Sequence, residues 1–522
     1  MSSSDLEKTN GNIEVSQQDL ESQNKDQVIG TIMSPSGKPI EITGDVDEAM
    51  KYAIRNKDVH VELDAATNKR LLRKIDCYVL PLMGVLYCFQ FIDKLSNSYA
   101  SILGLRTDLH MEGTMYSWTS TAFYLGYLFF VFPASYLLQR FPVAKTVSVF
   151  IILWGMILCC HAVPEYPGFV ALRTILGMLE SCVTPAFTII TAQWYTQDEQ
   201  FMRVTCWFAC NGFGTLIGGA ISYGLVMNQD NYSIKAWKLI FIVLGCVTMF
   251  LGFLIAAHLP DTPAKAWFLN EQERALVVER IRKNQQGFGN KHFKKYQFIE
   301  AISDYKTWLL FLFGVSTNIP SSGMTAFGSI LLNETMGYSV TQSLLMGMPS
   351  GAVELVGCLG LAYISTITHS RMFLAFIGTG IVVLAQCLLA FGTSQAVQMA
   401  GYNLYAFVPI GLICMVSVVA SNVAGHTKKI TSNAILFMGY CVGSLVGPQT
   451  FVAKQAPQYH GAKVAILTCG IISWFTIAAV WYGYVRENKK KDLINKEDFP
   501  SFENHEFADL TDKENIYFRY QT

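Results

Sequence analysis

Charge is what this chain has little of. Only 15% of its 522 residues are Asp, Glu, Lys or Arg, where a soluble domain carries roughly 25%. Its 39 basic residues are matched by 39 acidic ones, so there is no positive field to hold nucleic acid. No C-x-x-C pair occurs, and all thirteen cysteines (77, 88, 159, 160, 182, 206, 210, 246, 358, 387, 414, 441 and 469) lie in apolar runs. That pattern excludes a disulfide framework or a zinc site in the loops. The nine histidines form no H-x-x-x-H cluster, so neither a metal nor another cofactor is expected. There is no G-x-x-x-x-G-K-[ST] to cradle ATP and no G-x-S-x-G nucleophile, so the chain does not read as an enzyme. The first seventy-odd residues are polar and lack the apolar core of a signal peptide.

What is present is apolar: 51% hydrophobic residues with 40 Gly, 34 Phe and 19 Met, and a mean hydropathy of +0.31. A membrane-spanning helix takes about 20 mostly apolar residues. Twelve stretches qualify, near 76–102, 115–138, 143–163, 168–194, 204–227, 236–258, 307–331, 340–364, 372–393, 402–425, 430–452 and 463–485. They predict an all-α polytopic membrane protein embedded in the lipid bilayer. One long connection, from Pro260 to Lys306, splits the spans six and six. The chain then divides into a polar tail over 1–70, a six-helix bundle over 71–259 and a central loop over 260–306. A second six-helix bundle over 307–486 and a polar tail over 487–522 follow. The tails read as mobile, apart from a short element over Val59 to Leu63.

Orientation follows from counting Lys and Arg in the short connections. With the first residue inside, the inner connections hold Arg140, Lys145, Arg203, Arg371, Lys428 and Lys429, and the central loop adds nine more. The other side holds Arg106, Lys235, Lys238, Lys454 and Lys463, so fifteen stand against five and both termini read as cytoplasmic. Two glycosylation sequons, at Asn231 and Asn333, both fall on the outer side. In the central loop Asn270 and Glu273 open a helix through 275–281 that stops at Gly287–Gly289. Gly214-Thr-Leu-Ile-Gly218 in the fifth span and Gly443-Ser-Leu-Val-Gly447 in the eleventh correspond if the second six spans repeat the first. Such small-xxx-small spacing lets helix backbones come close.

A charge near the bilayer centre costs about 2.5–3.5 kcal/mol on insertion scales. Five residues carry that cost: Asp93 and Lys94 in the first span, Arg173 and Glu180 in the fourth, and Glu354 in the eighth. Arg173 and Glu180 are seven apart and so share a helix face. The first span runs outward and the fourth inward, which places Asp93 and Arg173 in the outer half and Glu180 nearer the middle. Two cations and two carboxylates around one cavity can hold an anion, through Lys94 and the two-pronged guanidinium of Arg173. A carboxylate removed from water can also trade its charge for a proton, a role open to Asp93 and Glu180. The alternatives are structural ion pairs, or a place for Asp93 and Lys94 near the outer interface. Glu354 has no partner near it in sequence. Asn211, Asn318 and Asn433 are further candidates to line the cavity, or are interhelical hydrogen-bonding residues.

Three stretches together resemble the major facilitator superfamily, and within it the fungal anion:cation symporter family of the allantoate permease type. Ile92-Asp93-Lys94-Leu-Ser-Asn97 resembles that family's L-D-R-x-N-I. Arg173-Thr-Ile-Leu-Gly177-Met-Leu-Glu180, with Pro185, resembles R-F-L-L-G-x-x-E…P. Leu259-Pro260-Asp261-Thr262-Pro263, followed by Ala266, Phe268-Leu269 and Glu271 to Arg274, resembles L-P-D-x-P…A-x-F-L-x-x-x-E-R. The length and tails look nearest to the family's thiamine-pathway carboxylate transporters. The resemblance implies two six-helix pseudo-repeats and proton-coupled symport of a small carboxylate by alternating access. It implies that Asp93 and Glu180 couple the proton and that Lys94 and Arg173 bind the anion. It also implies a monomer in the plasma membrane, with the endoplasmic reticulum membrane as the alternative. Lys94 stands where the family has Arg and loses two-pronged recognition. The loop Gln139-Arg140-Phe141-Pro142…Lys145 is a degenerate form of the superfamily's G-x-L-x-D-R-x-G-R. A nutrient receptor built on a transporter fold, and an uncoupled facilitator or exchanger, stay open beside symport.

Overall fold

The computed structural model describes residues 28–33, 39–43, 64–282, 294–368, 370–493, 511–514 and 518–522. The element expected over 59–63 and the helix stop at Gly287–Gly289 lie outside them. Two compact units emerge. The smaller comprises Met1–Leu72, Thr262–Lys291 and Asn495–Asp509, and the larger comprises Arg73–Asp261, His292–Ile494 and Leu510–Thr522.

In the smaller unit, strand β1 (Val28–Met33) pairs antiparallel with β2 (Pro39–Thr43), Ile32 opposite Ile40. The polar composition of that tail conceals two short runs with enough Ile and Val to pair. The central-loop helix spans Glu271–Arg282 and opens as its sequence predicts. The Glu273 amide donates to Asn270 Oδ1 at 2.8 Å, and the Asn270 amide donates to Glu273 Oε2 at 3.0 Å. This reciprocal cap satisfies two otherwise orphaned donors of the first turn.

The larger unit is a bundle of long helices. They are α1 (Ala65–Asp108), α2 (Met115–Leu138), α3 (Val143–Cys160), α4 (Tyr166–Trp194), α5 (Asp198–Met227) and α6 (Ala236–His258), then α7 (Tyr305–Ile330). After them come α8 (Val340–Ser365), α9 (Arg371–Phe391), α10 (Gln395–Asn422), α11 (Thr427–Thr450) and α12 (His460–Asp492). Eleven are long and apolar enough to cross a membrane. The twelfth, α7, has 26 residues, about 39 Å at 1.5 Å per residue. Its hydropathy is lowered by Ser316, Thr317, Asn318, Ser321, Ser322 and Thr325. The chain is an all-helical, multi-pass integral membrane protein in this larger unit.

The glycine motifs reveal the repeat in space. A Cβ on Gly214 would stand 2.7 Å from the Cys88 carbonyl oxygen and one on Gly218 3.1 Å from Ile92 Cγ2, so α5 lies against α1. A Cβ on Gly443 would stand 2.5 Å from the Val315 carbonyl oxygen and one on Gly447 2.3 Å from that of Ile319, so α11 lies against α7. The fifth helix therefore packs on the first as the eleventh packs on the seventh. Both α1 and α7 also end in a π turn, at Ser101–Leu105 and Leu331–Thr335.

The two halves meet along α5 and α8, α2 and α11, and α1 and α7. The Gln449 amide donates to Thr121 Oγ1 at 2.9 Å, and the Ser329 amide donates to Ser98 Oγ at 3.2 Å. At the face where odd-numbered helices end, the far face, Tyr116 donates to the Ala326 carbonyl at 2.7 Å. Beside it Phe327 stacks on Phe451 with centroids 4.4 Å apart. At the opposite, base face each half has its own charged tie. Arg203 on α5 holds Asp76 on α1 at 2.8 Å, and Lys428 on α11 stands 3.6 Å from Asp304 before α7. The polar segment near the end of the chain joins the second tie rather than moving freely. Asp512 accepts from Lys428 at 2.6 Å and from Tyr520 at 2.7 Å, and Gln521 exchanges two hydrogen bonds with Asn422. Buried cations on the base face give this polar segment partners that its composition does not announce.

Candidate functional site

Pro185 gives α4 its shape. Without an N–H it cannot bond the Ser181 carbonyl, and α4 breaks into Tyr166–Glu180 and Val183–Trp194 at that point. Glu180 is thus the last residue of the first segment, with Arg173 two turns earlier on the same face. Facing them on α1 are Asp93 and Lys94. Asp93 and Glu180 have no exposed surface, Arg173 is 2% exposed, and the Lys94 side chain 17%. Lys94 Nζ lies 4.0 Å from Glu180 Oε2, and Arg173 is within electrostatic reach of both carboxylates. The four charges predicted from the sequence are one cluster.

Its hydrogen bonds are incomplete. Neither oxygen of Asp93, neither oxygen of Glu180, nor Nε and Nη2 of Arg173 has a hydrogen-bond partner among the described residues. The Trp154 indole faces Asp93 and the Gln90 amide faces Glu180, without reaching bonding geometry. A structural ion pair in low dielectric holds together only with close geometry and filled hydrogen bonds. This cluster has neither, which suits groups that exchange partners.

Arg173 is held through its faces instead. Its guanidinium carbon lies 5.5 Å from the ring centres of both Phe169 and Phe241. His161, fully buried, stacks on Phe241 at 5.4 Å and meets Phe169 edge-on at 5.0 Å. Cation–π contact stabilises the charge and leaves the N–H edge free for an anion. Sequence reasoning overlooked these three residues. Phe169 lies four before Arg173 on α4, a spacing that signals contact.

Glu354 on α8 is 6% exposed and faces Asn211 of α5, in the other half. Asn318 donates to the Gly314 carbonyl of its own helix at 2.8 Å and lies against Gly443. Asn433 keeps a buried Oδ1 with no hydrogen-bond partner among the described residues. Asn231 sits in an exposed far-face turn, whereas Asn333 donates its side-chain amide to the Tyr338 carbonyl at 2.8 Å. The L-P-D-x-P motif also acquires a local role. Asp261 Oδ1 accepts from the Lys145 amide at 3.3 Å, in the first turn of α3, where a negative charge complements the helix dipole.

Residues 83–448 match the Major Facilitator Superfamily, and the chain belongs to that family. It is 46% identical to the allantoate permease of Saccharomyces cerevisiae, over 94% of this chain and 93% of that one. It is 32% identical to the thiamine pathway transporter of the same yeast, over 86% of each chain. By identity the allantoate permease is the nearer of the two, against the affinity read from length and tails. An uncharacterized transporter of Schizosaccharomyces pombe is 49% identical over 91% of this chain and 93% of its own length. Among solved structures, a bacterial homologue of the lysosomal transporter Spinster superposes with a TM-score of 0.56 at 14% identity, covering 78% of this chain and 96% of its own. The Escherichia coli fucose:proton symporter gives a TM-score of 0.51 at 15% identity, covering 77% and 99%. Both share the fold. The protein is a membrane transporter of small molecules and not an enzyme.

Proposed function

We propose that the protein is a proton-coupled symporter of a small organic monocarboxylate, of the ureido-acid type that the name of the allantoate permease denotes. The observation that carries this reading is the buried cluster in which Lys94 stands 4.0 Å from Glu180 beside Arg173 and Asp93. Arg173 and Lys94 bind the substrate carboxylate. That anion competes with Glu180 for Lys94, and a proton on Glu180 or Asp93 resolves the competition by removing one negative charge from the cluster. Anion and proton therefore enter together, and charge balance inside a dry site links them. Alternating exposure of the cluster to the two faces turns this linkage into uptake. All four groups come from one chain, so a monomer suffices. The positive-inside count supports cytoplasmic termini, an outer far face and glycosylation at exposed Asn231. Plasma membrane is the corresponding location.

The test is uptake of radiolabelled carboxylates, allantoate included, into cells expressing the protein, at acidic and neutral external pH. Acid-stimulated uptake of one anion, lost in Glu180→Gln and Arg173→Ala at equal surface abundance, supports symport. Uptake that persists in Glu180→Gln without stimulation by acid identifies an uncoupled facilitator. Binding without flux identifies a receptor.

A further inference from the structure

Glu354 is a buried carboxylate that the charged cluster does not employ. It stands on α8 one turn beyond Gly351, where the two halves touch backbone to backbone. A Cβ on Gly351 would lie 2.4 Å from the Gly212 carbonyl oxygen, and one on Gly212 2.3 Å from that of Gly351. This backbone contact brings α5 against Glu354 and makes Asn211, the neighbour of Gly212, its facing side chain. Glu354 is 6% exposed and Asn211 7%, Oε1 of Glu354 has no hydrogen-bond partner among the described residues, and no described cation bears on it. Tyr87 on α1 lies within electrostatic reach of both Glu354 and Glu180. Glu354 and Glu180 therefore both act on Tyr87, one from each half of the bundle.

A carboxyl group with no cation to pair with, set beside an amide, is suited to a neutral N–H donor. Ureido and carboxamide groups supply such donors, and a simple aliphatic acid does not. We propose that Glu354, with Asn211, selects substrates carrying an N–H-bearing ureido or amide group at the end remote from the carboxylate. This rests on the reading in which Lys94 and Arg173 hold that carboxylate. The substrate would then bridge the halves, with the anion bound to α1 and α4 and the N–H bound at α8. A site built to bond an N–H rejects an analogue without one, because its own buried acceptor is left unpaired.

The experiment compares uptake of two labelled acids by cells expressing the full chain. Ureidoacetate has a carboxylate and ureido N–H groups, whereas 4-oxopentanoate has a carboxylate and a carbonyl but no N–H. Wild type, Glu354→Gln, Glu354→Leu, Asn211→Leu and Arg173→Ala are compared at matched surface abundance. The expected result is a wild-type preference for ureidoacetate that falls at least tenfold in Glu354→Leu and less in Glu354→Gln, which keeps one acceptor. The KM for 4-oxopentanoate should fall in Glu354→Leu, which removes the acceptor that this acid leaves unpaired, and Arg173→Ala should lose both acids. A wild type without preference overturns the proposal, as do Glu354 variants that keep the preference or lose both acids alike. If Arg173→Ala transports both acids normally, the cation site itself is wrong, whatever Glu354 does. A wild type that takes neither acid contradicts both.

Discussion

Arg106 and Glu334 hold matching places in the two halves of the bundle and bind each other. Each stands at the π turn that closes its helix, α1 or α7, and the guanidinium donates to the carboxylate at 2.7 Å. The pair ties the far face shut above Ser98, which is 1% exposed. Both side chains are about a third exposed, so the pair contributes about 0.2–1 kcal/mol. Arg106→Glu should make Ser98→Cys roughly 1.4- to fivefold more reactive toward an impermeant maleimide added from the far face, a range that follows from that energy. Adding Glu334→Arg should restore protection. Mass spectrometry of residue 98 reads the result, and equal labelling in all three proteins would show that other contacts close this face.

Helix α4 carries two of the four clustered charges, and its position depends on Gly177. A Cβ there would lie 1.9 Å from the Phe123 carbonyl oxygen, and one on Gly126 of α2 would lie 2.0 Å from that of Thr174. These are backbone atoms with no room to move. Gly177→Val should destabilise the protein by about 3 kcal/mol or more and remove it from the cell surface. Gly224→Ala is the control, since nothing lies within 4 Å of its added methyl. It should leave stability unchanged or raise it by about 0.5–1 kcal/mol. Thermal unfolding in detergent distinguishes the two.

Asp304 anchors the base face of the second half. Burial alone would raise its carboxyl, but Lys306, Lys513 and Lys428 outweigh burial and hold it below the ordinary carboxylate value. A carboxylate so lowered stabilises the fold fully above its unfolded value of about 3.9. The contribution is lost as pH falls through the lower folded value. Asp304→Asn should therefore melt below wild type at pH 7, and the two melting temperatures should converge as pH drops under 4. Tyr520→Ala, which removes the stacking partner of Tyr484 and the donor to Asp512, should also lower the melting temperature at pH 7. An unchanged value would mean that the contacts of the Tyr520 ring contribute nothing to the bundle.

The membrane architecture was legible because apolar runs of spanning length and a single long connection are local features. Asp93, Lys94, Arg173 and Glu180 stood out by the same logic, since each is a charge inside such a run, and one face of α4 linked two of them. The α4 break was signalled by Pro185 but only its helical face was read. Phe241's place beside Arg173 was not legible, nor was the pairing of Glu354 with Asn211, although both of those residues were named, because each contact joins helices far apart in sequence. Polar α7 was read as a span although polar residues interrupt it, because the run over 307–331 is still long enough to cross a bilayer. The tie between Asp512 and Lys428 escaped for the converse reason, since a polar segment looks unpartnered until the buried cation it meets is seen.

Glu180 and Lys94 make the central claim testable without a cell. Purified protein in liposomes containing a pH-sensitive dye, with no imposed gradient, is given allantoate on the outside. Symport acidifies the lumen as the anion enters, and Glu180→Gln abolishes the acidification. Entry of labelled allantoate with no change in lumen pH would contradict proton coupling and leave Lys94–Glu180 as a structural pair.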